Sequence, residues 1–564
     1  MHIKSVEALA NVKTINVAQL LSSAHQQQLM DNRTALKKIF TILQSLARQD
    51  LMANEVLWQV TQEIKTAEFF ALMLDETEDI GKIEQVSTCV RVVSADFQSS
   101  EYFLGFHATD DTKSDTLLEI VKSTFEEHGL EFSKLRGQCY DGAANVSGKV
   151  NGLQSQIRRI EPRALFVHCN AHNLNLVVQD VMEKIIKARN FIGTTRELIN
   201  FVKDSPKRLA QFRELQGDAE IDNFPALAAY CPTRWVVRIK SLKTVMSNYP
   251  VLIQFLYERS IDPDVDSVTA AKASGLYNAM QSFEYIFYLV MMIEIFERIE
   301  ILNTALQNSH LCVTESYEKI AAVTDVLTCT RETKFEEIWS QSVAKCKEYE
   351  VNEPELPRPR KLPKRYQATD YDASAKPRNV KDLYEEAFNI VFDKVLLSLG
   401  SRFDTDAAKF FKSLEKFAIG ESDDINTIVN FYGQDFERKR LLSDRNMFMD
   451  LLSRQGVKRA ASLREIIQFF QTYKWAVDLV PEFTRFIRLM ITIPGSSCTN
   501  ERSFSVLRRL KTYMRSTIKQ QRLNSVVILH VYKNLTDGLD LESLLNKFKS
   551  KNTKRKAMFA LLKK

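Results

Sequence analysis

The stretch FFALMLD, residues 69–75, is an apolar run of strand length that stops at an acidic residue. Two more strand-like stretches follow at 85–97 (QVSTCVRVVSADF) and 101–108 (EYFLGFHA), both rich in β-branched or aromatic residues. Residues 116–128 (TLLEIVKSTFEEH) place apolar residues at helical spacing, and Gly129 supplies a stop. The pattern predicts three strands joined by short turns and then a helix.

Strands alternate with helices in the next part of the chain. Residues 135–140 predict a fourth strand, which leads into Asp141, and ALFVH at 164–168 predicts a fifth. Helical patterns lie at 151–160 and from about Leu174 onward. This order of elements predicts a mixed sheet with helices on its faces, as in an RNase H-like core. The expected fold class is therefore α/β, joined to an all-α part.

The long middle of the chain, from about residue 180 to 480, is almost wholly helical in pattern. Its one interruption, residues 353–378, contains five prolines and seven basic residues. Such a composition is typical of a linker or an exposed loop. A nuclear-localisation patch and a DNA-contacting loop are the alternatives.

The C-terminal part combines a predicted break with a basic helix. The sequence IPGSS at 493–497 interrupts the helical pattern, and Thr499 or Asn500 can cap a new helix that starts near Glu501. From Glu501 to Lys564 there are 16 basic and 4 acidic residues, although the whole chain has a net charge of only +6. This uneven charge predicts a polyanionic partner, with a solvated helical face as the alternative.

Composition and element order divide the chain into four predicted parts. No apolar run is long enough to span a membrane, the first residues lack the apolar core of a signal peptide, and the eight cysteines include no CxxC pair. We therefore expect a protein of the cytosol or nucleus. The predicted parts are an N-terminal helical segment, the first part of the core, a helical insertion with a flexible basic loop at 350–380, and a C-terminal part with a basic tail: residues 1–62, 63–195, 196–480 and 481–564.

Two acidic residues follow predicted strands directly. Asp75 ends the first strand and Asp141 ends the fourth, and ligands of open α/β sheets gather at the carboxyl ends of strands. Two neighbouring carboxylates repel each other unless a cation neutralises them, and Mg²⁺ prefers such oxygen ligands. A third acid would complete a two-metal site. On spacing alone, acids that merely cap strand ends remain the alternative.

Two further motifs leave a choice between chemistry and packing. In His168-Cys-Asn-Ala-His172, a cysteine and a histidine three residues apart could bind a metal, but two ligands are too few for a structural zinc site. A polar junction between strand and helix is the alternative. Trp235, in CPTRW, could stack on a base or pack in a core.

Four blocks of sequence together resemble the ordered signature blocks of hAT transposases, in the branch that includes zinc finger MYM-type-1-like proteins. They are GQCYDGAANVSGKVNGLQSQI, VHCNAHNLNLVV, CPTRW and TIPGSSCTNERSFSVLRRLKTYMRSTIKQQRLNSVVILH, at 137–157, 167–178, 231–235 and 492–530. The last block resembles the family's C-terminal dimerisation region. The resemblance implies an RNase H-like core that a large helical domain interrupts.

The resemblance also implies roles for single residues. Asp75, Asp141 and Glu501 match the acids of a DDE triad, which would hold Mg²⁺ or Mn²⁺. Cys169 and His172 match a motif beside the active site, where they would contact DNA rather than bind zinc. Trp235 matches an aromatic residue that stacks on a displaced base. The cations of the helix that carries Glu501 would neutralise DNA phosphates: Arg502, Arg508, Arg509 and Lys511.

The sequence departs from the family pattern at its N-terminal end. Relatives usually begin with a BED-type zinc finger, and no such Cys/His spacing is present here, so we expect no zinc. Two functions stay open at this point. The protein is either a DDE enzyme that cleaves DNA strands or a domesticated, non-catalytic nuclear protein that binds DNA or chromatin in transcriptional regulation. Under both, we expect homodimers or larger assemblies through 462–532, and no membrane partner.

Overall fold

The computed structural model describes residues 27–28, 30–35, 49–218, 224–229, 235–355, 379–456 and 459–550. The chain forms two compact units. Unit 1 comprises the chain up to Val92, Glu101–Lys134 and the chain from Thr499 onward. Unit 2 comprises Val93–Ser100 and Leu135–Cys498.

Five strands form one mixed sheet, as the sequence predicts. The strands are β1 to β5, at Phe70–Glu78, Glu84–Val93, Ser99–Thr109, Leu135–Tyr140 and Leu165–His168. Their order across the sheet is β3-β2-β1-β4-β5. Strands β1 and β2 pair in antiparallel orientation, whereas β4 and β5 pair in parallel. A parallel pair needs a crossover, which the helices between Tyr140 and Leu165 supply.

Helices make up most of the remaining described chain. They are α1 to α24, in chain order: Gln49–Thr66, Ser114–His128, Ala144–Ser147, Leu153–Ile160, Asn170–Lys184, Ile186–Lys203, Pro206–Asp218, Trp235–Ser247, Tyr249–Ile261, Ser267–Met280, Phe283–Leu306, Val313–Thr333, Phe335–Glu348, Val380–Phe403, Asp406–Ala418, Asn426–Tyr432, Arg438–Arg454, Leu463–Thr472, Ala476–Leu479, Pro481–Thr492, Cys498–Leu510, Gln520–Val531, Lys533–Asp537 and Leu541–Ser550. No described helix has the length and apolar character that a membrane crossing requires.

Unit 1 is built around strand β1, whose residues 70–74 are buried. Helix α1 buries Met52, Val56, Val60 and Ile64, and this four-residue spacing gives one apolar stripe, which packs against α22. Helix α2 ends at Gly129, whose φ of 59° is left-handed and whose N–H bonds to the carbonyl of Glu126 at 3.1 Å. The predicted glycine stop is thereby confirmed.

Unit 2 is mainly helical and is centred on α11. Fifteen of the 24 residues of α11 are buried, so apolar side chains surround this helix on nearly all sides. Strand β4 is tied to the helical part through Asp435, which accepts hydrogen bonds from Arg136 at 2.7 and 2.8 Å and from Arg163 at 2.8 Å. These groups are buried or nearly so, and each charge has a partner of opposite sign.

Several predicted boundaries differ from those in the structure. Strand β1 does not end at Asp75 but continues to Glu78, because its pairing with β2 continues to Glu78 and Glu84. Helix α5 begins at Asn170 rather than near Leu174. Helix α21 begins at Cys498, so Thr499 and Asn500 lie in its first turn and do not cap it. The basic, proline-rich stretch lies largely outside the described residues, since 356–378 are not among them.

Candidate functional site

In unit 1, Asp75 lies on a polar face of strands β1 and β2. Its carboxylate accepts the N–H of Glu76 at 3.0 Å, and its cross-strand partner is Ser87. Directly opposed residues of antiparallel strands point to the same face, so Asp75 and Ser87 share this face with Met73 and Cys89. The side chain of Asp75 is partly exposed.

Helix α21, which carries Glu501, packs on this face. The hydroxyl of Ser503 hydrogen-bonds to that of Ser87 at 2.9 Å, and both are buried. One ring contact adds to the packing, since Phe504 stacks on Phe106 with centroids 6.0 Å apart. Glu501 is exposed and lies two residues before Ser503 on the helix. Residues two apart on a helix do not share a face, so Glu501 faces away from the Ser87–Ser503 bond.

A buried carboxylate holds the start of α21. The side chain of Glu101 is 5% exposed and bonds to Arg91 at 3.0 Å, and it lies 3.5 Å from Arg502. Thr499 also donates a hydrogen bond to it. Burial raises the pKa of the nearby Cys89 thiol well above its usual value, and the charge of Glu101 adds to this effect. Cys89 is therefore a neutral thiol, and Arg502 is partly committed to a structural ion pair.

The expectation that Lys511 contacts DNA is wrong. Lys511 lies just after α21, is 4% exposed, and forms an ion pair with Asp79 at 2.5 Å. Burial by itself would raise the pKa of Asp79. Hydrogen bonds from Lys511, Gln85 and the N–H of Gly81 outweigh this and hold the pKa below its ordinary value. The pair therefore stays charged and fastens the end of α21 to the turn between β1 and β2.

Arg508 and Arg509 differ from Lys511 in being exposed. Neither forms an ion pair with a described residue. At the helical repeat, Arg509 shares a face with Arg502 and Arg508 shares a face with Glu501, since each pair is seven residues apart. The cations thus occupy two adjacent faces of the helix.

In unit 2, Asp141 follows β4 and lies close to His168. Its carboxylate accepts the N–H of Ala143 at 3.1 Å. His168, at the end of β5, is half-buried, and burial lowers its pKa although the negative charge of Asp141 opposes this. His172 lies in the first turn of α5 and is partly exposed. A neutral His168 beside Asp141 gives this end of the parallel strands both a hydrogen-bonding group and a negative charge.

Cys169 does not lie where DNA could reach it. Its side chain is 1% exposed, its sulfur accepts the N–H of Ser497 at 3.3 Å, and it also hydrogen-bonds to Cys139 and Cys498. The adjoining N–H of Asn170 bonds to the carbonyl of Gly495 at 3.1 Å. The expected DNA contact is therefore wrong for Cys169. The bonds of Cys169 and Asn170 instead tie the start of α5 to the break at 493–497.

One predicted site residue cannot be placed. Helix α8 begins at Trp235, but the Trp235 side chain and residues 230–234 before it lie outside the described part of the structure. The stacking expected of this tryptophan therefore stays a prediction from the sequence.

The chemistry of the three acids suits Mg²⁺ or Mn²⁺, because such ions take carboxylate oxygens. However, among the described residues no three His, Cys, Asp or Glu side chains are grouped closely enough to hold a metal ion. The partial exposure of Asp75, Asp141 and Glu501 leaves all three accessible from solvent.

Sequence reasoning missed the residues that fix α21, although one signal was present. Along β2, the residues at 85, 87, 89 and 91 are Gln, Ser, Cys and Arg, whereas those between them are Val, Thr and Val. This alternation with a period of two marks one polar face, and the structure buries that face. A polar strand face is buried only when a polar partner covers it. Here Ser503 of α21 bonds to Ser87, whereas Asp79 and Gln520 bond to Gln85 and Glu101 bonds to Arg91.

Comparison with known proteins gives three family-model matches in order along the chain. Residues 40–152 match the model described as ZMYM1/FAM200, RNase-like domain. Residues 167–277 match the ZBED1 RNase-like helical domain, and residues 448–535 match the hAT family C-terminal dimerisation region. The second match covers the start of the helical part, and the third covers Glu501 and the cations that follow it.

A search among curated proteins finds a distant relative. The general transcription factor II-I repeat domain-containing protein 2 of Bos taurus is 20% identical over 281 residues. The aligned part is 49% of this chain and 27% of the relative. The chain therefore spans little more than a quarter of that relative's length.

Proposed function

The chain belongs to the hAT-type, transposase-derived proteins, and from that membership we propose that it is a nuclear DNA-binding protein that self-associates through its C-terminal region. We further propose that the helical residues 196–480 are inserted into the RNase-like fold, whose two parts are residues 63–195 and 481–564. The N-terminal residues 1–62 would precede that fold.

One observation supports DNA binding above the others. Residues 502–536 contain eight basic residues and no acidic one, and two exposed members, Arg508 and Arg509, have no described ionic partner. They project from a helix whose two ends are fixed by buried charges, Glu101 at the start and Asp79 at the end. Unpaired cations on a rigid element suit a phosphate backbone, because no reorganisation is needed before they bind.

Other residues can extend this interface. Arg502 keeps about half of its side chain exposed despite the ion pair with Glu101, and His172 is partly exposed in the first turn of α5 in unit 2. We propose both as further DNA contacts, together with Trp235. The same proposal leaves out Cys169 and Lys511, because both are buried.

The decisive experiment measures binding of the full chain to duplex DNA by fluorescence anisotropy at several salt concentrations. Arg508→Ala/Arg509→Ala is expected to weaken binding by about tenfold and to reduce the salt slope by about two, since two phosphate contacts are lost. Lys439→Ala/Arg440→Ala removes the same charge from the exposed face of α17 and serves as the control. Equal effects of the two variants would overturn the proposal.

Self-association is supported by the match to the hAT dimerisation region. Within that match most apolar faces are already used inside the chain: Phe470, for instance, stacks on Phe97 at 5.1 Å. Trp475 and Leu479 are exceptions, with 49% and 51% of their area exposed. Trp475 directly precedes the short α19 and Leu479 ends it, so the two residues lie four positions apart. We propose this pair as a contact between copies.

Sedimentation velocity tests the contact. Trp475→Ser/Leu479→Ser is expected to shift the protein to a lower oligomeric state at the same concentration. Ile301→Ser, at an exposed apolar position outside the matched region, is the control and is expected to leave the distribution unchanged. A double variant that sediments like the parent would show that copies associate elsewhere.

A role in transcription is the cellular function we propose for this DNA-binding assembly. The support is the similarity to the general transcription factor II-I repeat domain-containing protein 2 of Bos taurus. Occupancy of chromatin by the parent and by the Arg508→Ala/Arg509→Ala variant, with transcript levels at the same loci, tests it. If both proteins give the same occupancy and transcripts, the role is wrong.

Metal-dependent cleavage of a DNA strand is the second candidate. Asp75, Asp141 and Glu501 would supply the carboxylates, and Mg²⁺ or Mn²⁺ would come from solution. The supporting observation lies within unit 1: the helix that carries Glu501 bonds through Ser503 to Ser87, the cross-strand partner of Asp75. The absence of any group of three suitable side chains among the described residues makes DNA binding the better supported function.

A further inference from the structure

The turn after α21, residues 512–519, is here called the tip, and it exposes two large apolar side chains. Tyr513 is 81% and Met514 is 88% exposed. Two cations of the tip itself, Arg515 and Lys519, are also exposed, and neither forms an ion pair with a described residue. Adjacent exposed apolar residues amid unpaired cations are typical of a surface that binds a partner.

The exposure of the tip is built into the fold, because a buried anchor lies on each side. On one side, Lys511 pairs with Asp79. On the other, Gln520 exchanges hydrogen bonds with Gln85 at 3.0 and 3.2 Å and donates to the carbonyl of Phe106 at 2.9 Å. Between the anchors, the N–H of Arg515 bonds to the carbonyl of Thr512 at 2.8 Å. The chain is thus held in a turn that keeps Tyr513 outward.

The charge of the tip selects the class of partner. Together with Arg508 and Arg509, the tip presents four exposed cations without a described ionic partner. In a symmetric dimer that joined tip to tip, these cations would face their own copies and repel them. A polyanion meets the same surface with favourable charge. Charge complementarity therefore favours nucleic acid over a second copy.

The apolar side chains select the form of the DNA. A paired duplex presents the edges of its bases in the grooves, whereas unpaired bases present their faces. The ring of Tyr513 and the thioether of Met514 offer apolar area rather than a set of hydrogen-bonding groups. Stacking of an aromatic ring on a base face tolerates any sequence.

We propose that the tip binds DNA at unpaired bases, with Tyr513 and Met514 against the base faces and Arg508, Arg509, Arg515 and Lys519 on the phosphates. This inference rests on the proposed DNA binding and adds the form of DNA that this surface recognises. Lys511 and Gln520 act as positioning residues, because they hold the turn without reaching the DNA.

The test compares two labelled DNAs in anisotropy titrations: a fully paired duplex, and the same duplex with a run of unpaired thymines. The parent chain is expected to prefer the DNA with unpaired bases by about tenfold, a factor within the range of aromatic stacking. Tyr513→Ser/Met514→Ser is expected to lose that preference and to bind the paired duplex as before. Tyr513→Phe keeps the ring and is expected to keep the preference. Val268→Ser, at a 76% exposed site in unit 2, is the control.

The outcomes separate this inference from the function on which it rests. If the parent binds neither DNA, the proposed DNA binding fails and the inference fails with it. If the parent binds DNA and the double variant keeps the same preference, the inference alone is overturned. If the double variant instead sediments at a lower oligomeric state, the tip is a contact between copies and the inference is also overturned.

Discussion

The hydroxyl of Ser503 on α21 lies 2.9 Å from the hydroxyl of Ser87 on β2, and both groups are buried. Ser503 also donates to the carbonyl of Asn500 at 2.6 Å, so its proton is already used and Ser87 must supply the proton between the two hydroxyls. Ser87 is in turn the cross-strand partner of Asp75. The helix that carries one predicted catalytic acid is thus bonded to the residue opposite another.

The first prediction concerns the energy of this hydroxyl pair. Ser503→Ala leaves the Ser87 hydroxyl buried without its acceptor, so we expect a loss of about 1 kcal/mol in the free energy of unfolding of unit 1. Ser87→Ala should cost less, because Ser503 keeps its bond to Asn500. The double variant should cost less than the sum of the two, since no hydroxyl is left unpaired. Urea unfolding of all four proteins measures the coupling, and strictly additive effects would contradict the expected bond.

The second prediction concerns the buried pair of Lys511 and Asp79. Lys511→Met leaves a buried carboxylate without its cation, and we expect a loss of about 3 kcal/mol in stability. Loss of this anchor should also weaken the preference for DNA with unpaired bases, because Lys511 holds one side of the tip, whereas the salt slope should not change, because Lys511 itself is not exposed. Lys122→Met, which breaks the exposed pair with Glu119, is the control and should change stability by at most about 0.5 kcal/mol. A salt slope that falls by about one in Lys511→Met would instead show a direct phosphate contact and restore the expected DNA contact.

The same pair predicts a pH dependence. The pKa of Asp79 is lower in the folded chain than its ordinary value of 3.8. The unfolded chain therefore takes up the proton first, so the stabilisation is complete above pH 3.8 and is lost as the pH falls through the lower, folded pKa. Asp79→Asn should flatten this part of the curve of stability against pH, measured by thermal unfolding. An unchanged slope between parent and variant below pH 4 would argue against an ionised Asp79.

The elements that the sequence predicts well are those with a local cause. The β-branched residues of β2, the helical spacing and glycine stop of α2, and the break at 493–497 each follow from neighbours in the chain. All five strands were therefore predicted, with ends displaced by a few residues. The displacement at Asp75 arose because the apolar run ends where β1 becomes partly exposed, while its backbone pairing continues.

The burial of single polar residues could not be predicted in this way. Lys511 follows two arginines in a basic run, and nothing local distinguishes it from them. Its partner Asp79 lies 432 residues earlier in the chain. Cys169 likewise bonds to Ser497, 328 residues away. Long-range contacts decided which predicted site residues remain accessible, and one sequence contains no direct record of such contacts.

The third prediction tests the burial of Cys169 through thiol reactivity. Cys329 is exposed, whereas the other described cysteines are buried. Hydrogen bonds with Cys139 and Cys498 hold the pKa of Cys169 well below its usual value, so its thiolate would react readily if the reagent could reach it, and only burial protects it. Brief maleimide treatment of the native protein, followed by peptide mass spectrometry, should therefore label Cys329 and leave Cys169 unlabelled. Denaturant should expose Cys169, and rapid labelling without denaturant would show that its surroundings open to solvent.

The last prediction concerns DNA cleavage. The chemistry of the three acids favours cleavage, whereas the lack of a metal-binding group of side chains among the described residues argues against it. The side chains at 75, 141 and 501 have the right chemistry and are accessible, yet no three suitable side chains are grouped among the described residues. Ordering carboxylates around an ion costs conformational free energy, and their mutual repulsion adds to that cost. Both effects lower the affinity for the ion. We therefore expect the purified chain with Mg²⁺ or Mn²⁺ to bind plasmid and short duplex DNA without nicking either. Asp141→Ala should behave like the parent, and Asp264→Ala, an exposed acid of unit 2, is the matched control. Nicked or hairpin products that the parent makes and Asp141→Ala does not would reverse this, because they would show that bound DNA and metal complete a site that the unbound chain leaves open.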